Sequence, residues 1–286
     1  MTEIHGQQFH ATDQKVPPLK FTNPFSEFLP IHIRENALLG LSLVEQNSAK
    51  KKKAVIVGSG PTFYDCLPEM KKLKKAGAVF IGCKEGIRLL KENGLPVHYA
   101  VAMDPQDNQH LKHEIVDGCV YCIASSCNPN LFDYLLEAGC EVKIFHSACG
   151  VIDEVRLYNR LYGNGDTMVG GFTVANRAFA LARYMGFRDI YLAGVGFGWR
   201  ENQEYYAEGT TQPKKHDVVM SDGGRIDGTP WWSRADLLAS AVTIAHFIKD
   251  KEVRVLGDSL ANGLSKLSDE ELAEMASIKQ GAVANT

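Results

Sequence analysis

The chain has 286 residues, 45% of them hydrophobic, enough to bury a full core in one large α/β domain or in a domain with an added subdomain. A formal charge of -3 and a pI near 6.3 give no field that would draw in a polyanion, despite the short run Lys50 to Lys53, so nucleic acid is not an expected partner. No apolar stretch approaches the roughly 20 residues that span a bilayer, so no membrane association is expected, and seven scattered cysteines behind a polar N-terminus point to a reducing, cytoplasmic setting.

Residues 1–22 carry no sustained periodicity and include Pro17-Pro18, so they read as an arm on the surface. A helix is expected across "ENALLGLSLVEQ", residues 35–46, which closes an N-terminal unit of residues 1–53. From residue 54 the pattern turns regular. "AVIVG", "AVFIGC", "VHYAVAMD", "CVYCIASS", "EVKIFH", "DIYLAGV" and "VRVLG" are short β-rich apolar runs separated mostly by helix-like segments. That alternation predicts βαβ crossovers and a Rossmann-like, doubly wound, mainly parallel sheet over residues 54–264.

Two helices stand out. "EGIRLLKENG" has an apolar stripe and a glycine stop, and "GGFTVANRAFALARYMG" sets Phe172, Ala175, Phe179, Ala182 and Met185 at helical spacing before Gly186. Between Gly194 and Trp231, "DVVMSDGGRID" reads as a hairpin around Ser-Asp-Gly-Gly, so residues 198–229 are expected to project as a lid. "WWSRADLLASAVTIAHF" follows as a lid helix, with one of Trp231 and Trp232 in the core and the other free to stack on an acceptor. Residues 265–286 hold a polar helix, "DEELAEMASI", and a tail. Cys119 and Cys122 in "CVYC" read as packed core, since residues three apart on a strand face opposite sides.

The sequence Gly58-Ser59-Gly60-Pro61-Thr62 ends the first strand. A dinucleotide fingerprint wants a third glycine where Phe63 stands, which argues against NAD, and a P-loop wants a lysine that is missing, which excludes the common NTPases. Two readings remain. The turn either cradles a phosphate with helix N–H groups and the Ser59 and Thr62 hydroxyls, or needs glycine for steric reasons alone. Asp104 ends the third strand with Asp107 three residues on; it is either a contact to Mg²⁺ or ribose, or a helix N-cap. Ser125 and Ser126 end the next strand, and Gly170, Gly171 and Thr173 open a second glycine-led helix. A nucleotide is the ligand that suits two such helix starts on one sheet edge.

Together, "VIVGSGPTFYDCLPEMKKL", "FIGCKEGIRLLKENGLPVHYAVAMDP" and "GGFTVANRAFALARYMGFRDIYLAGVGF" resemble the MptE-like family. That family includes archaeal 6-hydroxymethylpterin diphosphokinases and bacterial motility accessory factors (Maf) linked to flagellin glycosylation. The same order of motifs is similar to the bacterial family-42 sialyltransferases, which use a cytidine monophosphate sugar. The resemblance implies Tyr206 as a phosphate-binding tyrosine, His216 in the region of the base, and Thr229 as the threonine of an acceptor-side element with Trp231 and Trp232. The chain departs from the pattern in places. Val169-Gly170-Gly171 replaces a Thr-Ser-Gly start, Gly194-Val195-Gly196 lacks an acid usual at that strand end, and Lys84 replaces an asparagine. The lysine bears on nucleotide choice, or pairs with a phosphate.

Three functions follow as expectations. One is inverting glycosyl transfer from a nucleotide-activated, CMP-type sugar to an unknown acceptor, with His216 as base and Tyr206 stabilising the departing phosphate. The second is diphosphate transfer from ATP to a hydroxymethyl pterin-like substrate, with Asp104 and Asp107 on Mg²⁺. The third is a non-catalytic nucleotide-binding or assembly protein, with an oligomer left open.

Overall fold

The computed structural model describes residues 27–49, 52–107, 113–148, 153–200, 206–208, 210, 221–226 and 229–278. In chain order the helices are α1 (Leu29–Ala37), α2 (Phe63–Lys75), α3 (Glu85–Glu92), α4 (Pro129–Glu137), α5 (Glu154–Tyr162), α6 (Val174–Met185), α7 (Ala235–Lys249), α8 (Leu260–Leu264) and α9 (Asp269–Ile278). The strands are β1 (Lys53–Val57), β2 (Val79–Cys83), β3 (Tyr99–Ala102), β4 (Val120–Ala124), β5 (Glu141–Ser147), β6 (Thr167–Met168), β7 (Asp189–Ala193), β8 (Trp199–Arg200), β9 (Ser221–Ile226), β10 (Thr229–Ser233) and β11 (Val253–Val255).

Eight strands form one parallel sheet in the order β11-β7-β1-β2-β3-β4-β5-β6, flanked by helices. Central strands covered on both faces must be apolar throughout, and β2 is buried along its whole length. All seven strand runs read from the sequence are present. The short β6 adds an eighth, too brief at two residues to show a pattern. The chain runs outward from β1 to β6, then returns to the other side of β1 for β7 and β11. The reversal lies between β1 and β7, and ligands of open α/β sheets collect at the carboxyl ends beside such a reversal.

Several expectations are corrected. The helix expected over residues 35–46 ends at Ala37; Gly40 turns at φ +62°, and Ser42 to Val44 pair with β5 instead. The apolar residues Leu41, Leu43 and Val44 are satisfied by sheet pairing, which a local apolar run cannot distinguish from a helix face. The hairpin turn is not at Ser-Asp-Gly-Gly. Those residues lie in β9, paired antiparallel to β10 from Ser221 opposite Ser233 to Ile226 opposite Thr229. Trp231 and Trp232 belong to β10 and not to a helix, and α7 begins at Ala235. They still divide between faces, by strand alternation: Trp231 is buried and Trp232 half-buried. Phe172 precedes α6 and is exposed, outside the helical stripe. The N-terminal arm, His216 and Cys149 lie outside the described residues.

Cys119 and Cys122 are buried, with burial pushing the Cys122 thiol up to about 12, so the packed-core reading is observed for this pair. Among the described residues no helix is long and apolar enough to cross a membrane.

Candidate functional site

The turn after β1 interlocks with the turn after β7. Gly58 N donates to Ala193 O at 2.9 Å and Gly60 N to Gly194 O at 2.7 Å. A Cβ on Gly58 or Gly60 would stand 2.7 Å from Gly194 O, and one on Gly194, at φ +62°, 2.6 Å from Gly58 O. The glycines are therefore required by backbone contact, and the steric reading is observed. Two of the turn's amides are spent on the end of β7 and the residue after it, and Pro61 has none. The hydroxyls remain: Ser59 is half-buried, and Thr62 is 2% exposed with no partner for Oγ1. Thr62 occupies the N-cap of α2 at φ -86°, ψ 9°, outside the extended conformation in which a threonine caps, so its hydroxyl faces the Gly257 turn instead.

The segment beyond β8 returns onto this turn. Ala207 N donates to Ser59 O at 2.9 Å, and Tyr64 Oη on the first turn of α2 donates to Glu208 O at 3.1 Å. Tyr206, half-buried, is thereby carried to the glycine turn. Sequence spacing could not place it there.

Lys84 follows β2 and Asp104 follows β3, and the two meet: Nζ lies 2.8 Å from Oδ2. Asp104 Oδ1 accepts from Gln106 N at 3.1 Å, an Asx-type bond to the backbone two residues on, and no helix begins at Pro105 or Gln106 for it to cap. Asp107 accepts from Asn130 Nδ2 at the start of α4. In this arrangement Asp104 is engaged by the Lys84 ammonium and Asp107 by the Asn130 amide. Among the described residues no group of three or more His, Cys, Asp or Glu could hold a metal ion.

Ser125 and Ser126 are sealed beneath α1. Asn36 Nδ2 donates to Ser125 O at 2.9 Å and Cys127 O at 2.8 Å, and His32 Nδ1 lies 3.3 Å from Ser126 O. Ser125 Oγ is 3.0 Å from His146 Nδ1, and His146 stacks on Tyr158 at 4.1 Å between ring centroids. Burial lowers the His146 imidazole from 6.5 to about 4, partly offset by the Asn164 backbone. It is a neutral group of the interior.

At the second glycine-led start, Gly170 and Gly171 take φ +108° and +90°. Thr173 caps α6 by accepting from Asn176 N, while Phe172 N and Asn176 Nδ2 bond to Ser240 on α7. A Cβ on Gly171 would meet Asn176 Nδ2 at 2.4 Å, so this glycine serves the α6–α7 junction. Arg177, one turn into α6 and 6% exposed, donates from Nε to Ser147 Oγ at 2.9 Å and from Nη2 to Ala148 O at 3.0 Å. A buried guanidinium at the carboxyl edge is a candidate anion contact that the sequence reading missed. Its only signal was an arginine four residues after the capping threonine.

The small sheet β8-β10-β9 is tied through Arg200 on β8 to Asp258 after β11. Trp199 and Trp231 are buried, and the Arg200 guanidinium lies 4.2 Å over the Trp231 ring while pairing with both oxygens of Asp258 at 2.8 and 3.1 Å. Trp232 and Thr229 share β10 with this anchor. A shallow polar depression bounded by Arg188, Asp189, Lys251, Glu252 and Arg254 lies at the amino ends of β7 and β11, the edge opposite these residues.

The fold and this edge define a Rossmann-like α/β protein whose strand ends gather hydroxyls, a lysine–aspartate pair and a buried arginine. The chain belongs to the MptE-like family: the profile described as 6-hydroxymethylpterin diphosphokinase MptE-like matches residues 33–202. Its fold is similar to that of a Maf glycosyltransferase from Magnetospirillum magneticum AMB-1, with a TM-score of 0.58 and 17% identity over 91% of this chain. The chain spans 43% of that protein's length. A mammalian sialyltransferase solved with Gal-beta-1-3GalNAc-ortho-nitrophenol aligns at a TM-score of 0.45 and 8% identity, covering 89% of this chain and 97% of that one. No curated protein matches the sequence.

Proposed function

We propose that the protein transfers a glycosyl group from a nucleotide-activated sugar, with a cytidine monophosphate sugar as the donor the resemblance implies. The observation that carries this reading is the Ala207 N to Ser59 O bond, which sets Tyr206 against the glycine turn beside the sheet reversal. A phosphate at that turn meets the Ser59 hydroxyl and the Tyr206 phenol, which stabilise charge on the departing nucleotide. His216 removes the acceptor hydroxyl's proton, and Thr229 and Trp232 on β10 line the acceptor side.

The family's description supports a second reading, diphosphate transfer from ATP. The Lys84–Asp104 pair weighs against it, since a carboxylate already engaged by an ammonium is a poor magnesium ligand. Donor hydrolysis with and without chelator separates the two. Chelator-insensitive turnover of a nucleotide sugar, reduced far more in kcat than in donor affinity by His216→Ala, is expected. Chelator-sensitive ATP turnover supports the diphosphokinase, and no turnover of any donor despite nucleotide binding leaves a binding protein.

A further inference from the structure

Among the described helices, α2, α3, α4, α6 and α7 end in the same way, with two backbone bonds folded back over the last turn and a residue in the left-handed region. After the first four that residue is glycine: Gly77, Gly94, Gly139 and Gly186, at φ +75°, +65°, +72° and +101°. After α7 it is Lys251, at φ +59°, whose N–H donates to Ile248 O at 3.0 Å while Glu252 N donates to Phe247 O at 2.9 Å. A side chain is strained in that conformation, and strain of this kind persists where something else holds it.

Lys251 borders the depression of about 170 Å³ at the amino ends of β7 and β11. Ile190 pairs with Val253 across these parallel strands, so the chain leading into β7 sets Arg188 beside Lys251. The acids of the same rim are already neutralised, Asp189 by Lys53 at 3.4 Å and Arg254 at 2.9 Å, and Glu252 by Arg183 at 2.7 Å. Arg188 and Lys251 are exposed and have no carboxylate partner among the described residues. Arg188 spends Nη1 on Arg183 O and Phe187 O and keeps its other N–H groups. Two such cations on neighbouring strand leads repel each other until an anion joins them, and a dianion neutralises both where a single carboxylate leaves one.

We propose that this depression binds a phosphate dianion, free or as the terminal group of a small phosphorylated molecule, on the sheet edge opposite the candidate functional site, and that Lys251 is kept at its strained position for that contact. The site is independent of the donor reading above. The test is a titration of the whole chain with inorganic phosphate and with glycerol 3-phosphate at low ionic strength, followed by backbone amide NMR and by melting temperature. In the wild type the amides of residues 188–190 and 251–253 are expected to shift saturably with both, whether or not those of the glycine turn at residues 58–62 respond. Tighter binding of glycerol 3-phosphate supports an ester as the ligand, and equal binding supports the bare dianion. Lys251→Gly installs the residue its four counterparts carry, and Lys251→Asn keeps a polar side chain that tolerates the conformation. Each is expected to melt no lower than the wild type without phosphate and to bind phosphate at residues 188–190 at least about fivefold more weakly. Shifts confined to the glycine turn overturn the proposal, as do variants that bind at residues 188–190 as the wild type does. Variants that melt well below the wild type also overturn it, since the lysine then serves the carboxyl end of α7 alone.

Discussion

Acid should destabilise this fold through His146, and the size of the effect follows from its surroundings. The imidazole ends β5 at 2% exposure, between the Ser125 hydroxyl at 3.0 Å, the Tyr158 ring stacked at 4.1 Å and the Tyr162 ring edge-on at 4.8 Å. Burial disfavours the charged form and holds the folded-state value near 4 against 6.5 for the free side chain. A folded state that resists protonation loses stability as the pH falls below the unfolded value. The contribution is therefore intact above pH 6.5, declines toward pH 4 and levels off beneath it. At about 1.4 kcal/mol per unit the whole shift is worth about 3 kcal/mol, of which about 2 kcal/mol is gone by about pH 5. Urea unfolding at several pH values measures it. Carboxylates titrate in the same range, so the informative quantity is the difference from His146→Phe, which keeps a ring on Tyr158 and cannot titrate. The wild type should lose about 2 kcal/mol more than the variant between about pH 7.5 and 5. Parallel pH profiles for the two proteins would refute the buried neutral imidazole.

Gly60→Ala should cost about 1–3 kcal/mol in urea unfolding, because its Cβ would meet Gly194 O at 2.7 Å and Gly196 N at 3.3 Å, both backbone atoms that cannot rotate away; unchanged stability would contradict the interlocked turns. Asn36→Ala strips the bonds to Ser125 O and Cys127 O from a fully buried amide and should cost about 2 kcal/mol, with faster amide exchange along α1. A wild-type exchange pattern there would mean that α1 is held by something else. Arg200→Ala breaks a partly exposed ion pair and a stack on Trp231, so global stability should shift by less than about 1 kcal/mol. Amides of β8 and β10 should nonetheless exchange faster, and if they do not, Arg200 is no anchor for the small sheet.

The parts of this fold that could be read from the sequence are those in which each residue's environment repeats along the chain. A strand covered on both faces must be apolar at every position, so "AVIVG" and "AVFIGC" declare themselves without knowledge of their partners. α6 was legible because Thr173 and Gly186 punctuate its ends chemically. The misread segments are those whose environment comes from a distant element. Leu41 to Val44 could satisfy an apolar run as a helix face or against β5, and only the presence of β5 some hundred residues later decides it. The tryptophans of β10 read as a helix start because their strand partners, β8 and β9, come from an irregular insertion. Ser125 and Ser126 looked like edge residues until α1, whose Asn36 lies 89 residues away in sequence, closed over them. The candidate site divides along the same line. Gly58 to Thr62, Lys84 and Asp104 follow β1, β2 and β3, and once those strands are taken as parallel and adjacent, the residues must share one edge. What adjacency could not supply is how their polar capacity is spent. The amide of Gly60 is consumed by Gly194 after β7 and the ammonium of Lys84 is turned onto Asp104, and both follow from backbone geometry, a 2.7 Å bond and a positive φ, that residue identity does not encode. The polar capacity left at this edge therefore resides in side chains, the Ser59 hydroxyl and the Lys84–Asp104 pair, and less in backbone N–H groups, so ligand recognition here should respond to single side-chain substitutions more sharply than a backbone phosphate cradle would.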